Sequence, residues 1–374
     1  MRPQPKRVLH VIRAMARAGA ETWLMHALRR LDGKRIRLDF LVHTDQPCAF
    51  DEEIESRGCR IFRVCNPLHS FAYGHAVTRI LRENAFDAVH SHVHHFSGYL
   101  MMLARMAGTH LRIAHSHNDT SHLDRAATQV RRGYLHLMKR WIRSHATRTV
   151  GVSRRAGESL FGAGWLRDPR SRLLYCGVDL APFRTLPSRH EVREELGLES
   201  DDLVIGHVGR FDPQKNHGFL LDVTAQIMAR RPNSRLLLVG EGPLRQAAEE
   251  RVRALGVGGR VTFAGVRSDV PRMLAAMDVF LFPSHHEGLP LSLIEAQAAG
   301  LPCVISDAIA EETDVNVQSI ERLSLLDSPA RWAEAVLQAG TAGAQPPAHS
   351  LHTIENSPFD IRRSVEGLYE LYGA

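Results

Sequence analysis

LVIGHVGRFDPQKNHGFLLDVTAQIMAR, residues 203–230, reads as one strand–loop–helix unit. Leu203–Val208 is a short, nearly unbroken apolar run, the pattern of a strand buried on both faces of a parallel sheet. Residues 219–230 then repeat apolar side chains at helical spacing. Between them, Gly209 lets the backbone turn close to a ligand, Arg210 and Lys215 supply a charged fork and a point charge, and Asn216 is a candidate helix cap. Open parallel sheets bind ligands beyond the carboxyl ends of their strands, where this loop lies. An ordinary connection with surface charges is the bland alternative.

The same alternation extends in both directions. Upstream, strands are expected at 8–12, 38–43, 60–64, 88–92, 111–115, 149–153 and 172–175, with helices at 20–31, 75–83, 96–107, 126–144 and 155–161. Downstream, strands are expected at 235–239, 260–264, 279–282 and 303–306, with helices at 244–255, 270–276 and 289–299. Repeated βα units predict an α/β protein of two doubly wound, Rossmann-like parallel-sheet domains facing each other across a cleft. Residues 1–178 and 190–356 are the expected domains, with 177–189 as linker and a softer stretch at 340–350. A last helix within 357–374 is expected to pack back on the first domain.

The chain has 374 residues, enough for two domains of moderate size, and 24% charged residues, an ordinary globular share. No apolar run approaches the ~20 residues that span a bilayer, and the first one, 8–12, is too short for a signal-peptide core. The expected location is the cytoplasm. Five scattered cysteines without C-x-x-C spacing fit a reduced compartment. Residues 1–180 hold 29 Lys and Arg against 15 Asp and Glu, whereas the remainder holds 18 against 26. Only the first half is therefore suited to an anionic partner.

The strongest chemical signal is His286-Glu287-Gly288-Leu289-Pro290 running to Glu295. Glu287 is expected on the loop before a helix, with Pro290 in the first helical turn, and Glu295 about 10 Å further along. The helix start between them offers amides and a positive dipole end to a diphosphate. A glutamate inside the mostly apolar segment Leu291-Ser292-Leu293-Ile294-Glu295-Ala296 is hard to explain as a solvated surface group.

With Val239-Gly240-Glu241-Gly242-Pro243-Leu244, these two motifs resemble the retaining glycosyltransferases of family 4, which have the GT-B fold. His90-Ser91-His92, Ile113-Ala114-His115-Ser116-His117-Asn118 and Ile294-Glu295-Ala296-Gln297-Ala298-Ala299-Gly300 are similar to the capsular and exopolysaccharide subgroup. The resemblance implies a metal-independent transfer of a sugar from a nucleoside-diphosphate donor, by family habit uridine, with retention of configuration. It gives Arg210 and Lys215 the departing diphosphate, Glu287 the transferred sugar and Glu295 the ribose hydroxyls. Gly209, Glu241, Gly288, Leu289 and Leu291 would complete the donor site. His117 would lie beside the reacting sugar, with His115 as runner-up, and Glu21, His115 and Asn118 would meet the acceptor. Gly19 matches the glycine loop under the donor phosphates, although Ala18 stands where the family usually has a second glycine.

The implied acceptor is a glycan or a polyprenyl-diphosphate-linked sugar, with no cofactor and no nucleic acid. Histidines 90, 92 and 94 alternate and are expected on one strand face, near 95, 115 and 117. No carboxylate or thiol joins them at metal-ligand spacing, so imidazoles facing sugar hydroxyls are expected and no metal. Residues 125–148 combine Arg131, Arg132, Lys139, Arg140 and Arg143 with Tyr134, Leu135, Met138, Trp141 and Ile142 at helical spacing. That segment could lie on an anionic membrane or be a packed helix with a basic face; burial of Trp141 favours the second. A nucleotide-sugar epimerase of the same architecture and a basic non-catalytic scaffold are the competing functional readings.

Overall fold

The computed structural model describes residues 4–65, 70–343 and 347–374, so part of the soft stretch at 340–350 lies outside the described residues. The chain forms two compact units, Met1–Gly177 with Ile361–Ala374, and Val178–Asp360.

In the first unit, β1 (Lys6–Ile12), β2 (Ile36–Val42), β3 (Ile61–Arg63), β4 (Ala88–Ser91), β5 (Leu111–Ser116), β6 (Arg148–Gly151) and β7 (Ser171–Leu173) form one sheet. The strand order is β3-β2-β1-β4-β5-β6-β7, parallel throughout. Leu9, Val11, Leu41, Val89 and Ala114 pack against Leu100, Met101 and Ile142 from the covering helices. Helix Ile361–Tyr372 belongs to this unit. Its Tyr369 hydroxyl accepts from the Asp32 amide at 2.8 Å, and the Arg35 guanidinium sits 3.8 Å from the Tyr369 ring centroid.

In the second unit, β8 (Leu203–Val208), β9 (Ser234–Val239), β10 (Val261–Phe263), β11 (Val279–Phe282), β12 (Cys303–Ser306) and β13 (Ile320–Leu323) run parallel in the order β10-β9-β8-β11-β12-β13. Leu203, Ile205, Leu236, Leu238, Val279 and Leu281 form the core with Leu220, Ile227 and the buried Trp332. Each sheet reverses its winding beside its first strand, between β1 and β4 and between β8 and β11. The loops leaving those strands therefore diverge and open a crevice.

Several expected elements shift for identifiable reasons. The helix expected over 126–144 starts later, as Gln129–His145, and a separate short helix, Ser121–Arg125, precedes it. Thr128 is extended, and its side chain accepts from the Arg131 amide, so it starts a new helix. The supposed linker contains a 3₁₀ turn, Ala181–Phe183, and ends in a Ser188–Glu191 capping box that opens helix Arg189–Glu195. Pro290 is the extended residue before helix Leu291–Ala298 and not part of its first turn. Strand β4 stops at Ser91, and His94 takes a positive φ of 50° at the start of a 3₁₀ turn. His94 thus leaves the strand face that the alternation assigned to it.

Candidate active site

The loops after β8 and β11 in the second unit carry most of the expected site, and hydrogen bonds tie them together. Asp212 accepts from the Lys215 amide through its side chain and shapes the turn Pro213–Lys215. Asn216 follows in the left-handed region at φ 56° and precedes helix His217–Arg230, but its side chain makes no capping bond. From this turn, Lys215 Nζ donates to Glu287 Oε1 at 2.7 Å and Gln214 Nε2 donates to Glu287 Oε2 at 2.8 Å. The His285 amide donates to the Gln214 carbonyl at 2.9 Å.

The Lys215 and Glu287 side chains are only 13% and 6% exposed, so their ion pair is nearly dry. Lys215 Nζ also lies 4.6 Å from the Phe282 ring centroid. Removing one charge from such a pair costs far more than removing both, because the remaining charge keeps its desolvation penalty. Sequence reasoning gave these two residues separate tasks; the structure makes each the other's partner.

Glycines let a third loop close onto the first. A Cβ on Gly240, whose φ is +137°, would stand 2.1 Å from the Gly209 carbonyl oxygen, and one on Gly242 would stand 2.5 Å from that of Phe211. The Phe211 amide donates to the Glu241 carbonyl at 3.0 Å. The exposed Glu241 carboxylate is engaged by Arg245 of the same loop and helix. Arg210 is exposed and has no side-chain partner among the described residues. It is the cation best placed to meet an incoming anion without first breaking a bond.

Helix Leu291–Ala298 begins without a side-chain cap and without an acid in its first turn, so its leading amides stay open to an anion. Gly288 is buried, while Leu289, Leu291, Ser292 and Glu295 are half-buried. Leu291 and Glu295 are one helical turn apart and share a face. Gln297 anchors the opposite side, accepting from the Val315 and Asn316 amides at 3.0 and 2.9 Å and donating to the Thr313 carbonyl at 2.9 Å. The Glu295 carboxylate has no hydrogen bond or ion pair among the described residues, and burial pushes its pKa up to about 7. An acid kept in this state is set to accept hydroxyl protons from a ligand that supplies what the protein does not.

The remaining candidates belong to the first unit. Ala18 is extended and precedes helix Gly19–Arg30, also without a side-chain cap. A Cβ at Gly19 would meet nothing within 4 Å. Glu21 falls in the first turn of that helix. His115 ends inside β5, and His117 and Asn118 follow it. His10, on β1, was not singled out in the sequence although it joins the same cluster: its Nδ1 is 2.9 Å from His92 Nε2. One ligand nitrogen each from His10, His90 and His92, and likewise from His92, His115 and His117, lies within 4.8 Å of the others. His95 instead meets Asp124 at 3.2 Å, a carboxylate shared with Lys139 at 3.2 Å.

Comparison with known proteins identifies the architecture. Residues 17–182 match the model of the Glycosyltransferase Family 4, and residues 202–341 match that of the Glycosyl transferases group 1. The chain is 37% identical to a Bacillus subtilis (strain 168) protein described as the glycosyltransferase EpsF, over all of this chain and 97% of the relative. This chain is a family 4 glycosyltransferase. It is also 28% identical, over 61% of its length and 60% of the relative's, to an Escherichia coli UDP-Gal:alpha-D-GlcNAc-diphosphoundecaprenol alpha-1,3-galactosyltransferase. Among solved structures, Anabaena HepE in complex with UDP and glucose matches with a TM-score of 0.78 at 19% identity, covering 98% of this chain and 99% of that one. The transferase therefore has the GT-B fold, built from the two parallel-sheet domains described above.

Proposed function

We propose that this glycosyltransferase moves a sugar from a UDP-sugar to a glycan or polyprenyl-diphosphate-linked acceptor in surface polysaccharide synthesis, with retention and without a metal ion. The observation that carries the donor reading is the second unit's arrangement. An exposed arginine, a dry Lys215–Glu287 pair and an uncapped helix start converge on one crevice, and a carboxylate without a partner among the described residues lies one turn along that helix. Arg210, Lys215 and the helix amides would neutralise the departing diphosphate as its charge grows. When the phosphate draws Lys215 away, Glu287 is left to the sugar hydroxyls. Glu295 would take the ribose.

The lipid-linked acceptor agrees with the Escherichia coli relative's substrate and with the excess of basic residues in the first half. Helix Gln129–His145 supports a membrane-facing reading of a restricted kind. Trp141 stacks on Tyr99, with ring centroids 6.0 Å apart, so that residue belongs to the packed face. Val130, Tyr134 and Leu137, spaced one turn apart, are instead exposed among arginines. We place an anionic bilayer against that row. Among the described residues, no helix is long and apolar enough to cross a membrane.

The test is a calorimetric screen against a panel of nucleotide sugars, followed by transfer to a lipid-linked acceptor in excess chelator. One nucleotide sugar should bind and turn over without added metal, and the product's anomeric proton should keep the donor configuration. Binding of nucleic acid with no donor turnover would sink the proposal in favour of the scaffold reading.

A further inference from the structure

Five histidines of the first unit, His10, His90, His92, His115 and His117, form a single unbranched hydrogen-bonded chain with one interruption, and that interruption is a tyrosine. His117 Nε2 is 2.8 Å from His92 Nδ1, and His92 Nε2 is 2.9 Å from His10 Nδ1. His10 Nε2 is 3.2 Å from the Tyr372 hydroxyl, which is 2.7 Å from His90 Nδ1. His90 Nε2 is 3.0 Å from His115 Nδ1. His115 Nε2 ends the chain, buried and without a partner among the described residues.

Burial, reinforced by repulsion from neighbouring imidazoles, holds all five rings below the ordinary histidine range, so each is neutral and carries one ring proton. A neutral imidazole donates from one nitrogen and accepts at the other. In a chain of such rings, the direction of any one bond dictates the direction of all.

Trp23 selects between the two directions. Its indole Nε1 can only donate, is buried, and also lacks a partner among the described residues. The indole stands edge-on to His115, with ring centroids 5.6 Å apart at 84°. The two atoms make no direct hydrogen bond, but a bare His115 Nε2 would give that donor an acceptor through one bridging water. A protonated one would leave two buried donors with nothing to receive them.

We propose that Tyr372, on helix Ile361–Tyr372, is the positioning residue that locks His117 as its Nδ1–H tautomer. His115 Nδ1–H donates to His90, His90 Nδ1–H to the Tyr372 oxygen, and the Tyr372 hydroxyl to His10. His10 Nδ1–H then donates to His92, and His92 Nδ1–H to His117. All five imidazoles share the tautomer that is the less populated one in free histidine. His117 accepts at Nε2 and keeps a single N–H to offer, so it meets its ligand as a neutral donor and not as a base. That consequence rests on the reading of His117 as the histidine beside the reacting sugar. A metal ion would compete for the same nitrogens, but both possible triads share His92, whose two nitrogens each already hold another imidazole.

The test is long-range ¹H–¹⁵N correlation spectroscopy of the full chain labelled at histidine, with metal analysis of the same sample. Wild-type protein should show these five rings as Nδ1–H tautomers. Tyr372→Phe should convert the His117 signal to a mixture of tautomers and lower kcat roughly tenfold or more, the scale of losing a group that orients a site residue, with KM for the donor little changed. An Nε2–H or imidazolium form at any of the five positions in the wild type would overturn the lock. So would a stoichiometric transition metal, or an unaltered His117 signal in Tyr372→Phe. The wild-type spectrum decides the matter even where the variant folds poorly. Full turnover by His117→Ala would overturn the role of His117, and the catalytic consequence with it, while leaving the spectroscopic result to judge the lock alone.

Discussion

If Glu295 takes the donor ribose as proposed, donor affinity should depend on pH, and the size of the effect follows from the surroundings of that residue. Its carboxyl is pushed up to about 7 by burial and has no partner among the described residues. If the ribose hydroxyls donate to the carboxylate, only the ionised form binds well, and the bound form returns toward the ordinary range near 4.5. Affinity should then weaken up to tenfold for each pH step of one below about 7, at about 1.4 kcal/mol per step. Residual solvent screening makes about 3 kcal/mol an upper limit over the whole window. The assay is calorimetric titration with an intact UDP-sugar between pH 5.5 and 8.5 at fixed salt. The intact donor is needed because its diphosphate is esterified at both ends and does not titrate near neutrality. Glu295→Gln should bind weakly and lose this slope. A flat wild-type profile, or a slope that survives in Glu295→Gln, would refute the reasoning. Stability should move the opposite way. A folded-state pKa raised above the unfolded value stabilises the protein below the unfolded pKa and loses that contribution as pH rises through about 7. Glu295→Gln, which mimics the protonated form, should therefore have the higher Tm at pH 8 and little advantage at pH 4.5.

Three further outcomes are expected. Lys215→Ala should nearly abolish turnover and destabilise the protein by about 3–5 kcal/mol, because Glu287 is left charged and unpaired; adding Glu287→Gln should recover Tm but not activity in the same preparation. Gly240→Ala forces a Cβ to 2.1 Å from the Gly209 carbonyl oxygen at a φ of +137°. It should cost more than about 2 kcal/mol in chemical denaturation and weaken donor binding by displacing the loop after β8. Replacing Tyr134 and Leu137 with Glu should reduce co-sedimentation with phosphatidylglycerol vesicles while donor hydrolysis stays unchanged, and raised salt should weaken wild-type binding.

Much of the fold was legible because parallel strands buried on both faces are written as apolar runs. Leu203–Val208, Val279–Phe282 and Cys303–Ser306 have the same bounds in sequence and structure. Strand β13, Ile-Glu-Arg-Leu, was missed because it lies at a sheet edge where half-buried polar residues blur the pattern. Helix Pro329–Ala342 was missed although Ser328 caps it and Pro329 opens it, a signal that composition alone obscures. The turn that carries Lys215 and the helix that carries Glu295 were readable from local spacing. The Lys215–Glu287 pairing was not, because it joins residues 72 positions apart. Nor was the part played by His10 and Tyr372, whose contact spans 362 positions and exists only once the sheet has brought β1 and the last helix together.

Residues 178–360 are threaded into the middle of the first unit's sequence, which resumes only at Ile361. A ribosome therefore delivers Tyr372 after the entire second unit has been made. Until then the sheet of the first unit has every strand in hand but no hydroxyl between His10 and His90, and its buried imidazoles lie as two disconnected groups. Translation order therefore keeps the histidine network incomplete until the whole second unit has been synthesised. A chain released between Asp360 and Tyr372 would hold every strand of both sheets and still lack the hydroxyl that joins His10 to His90.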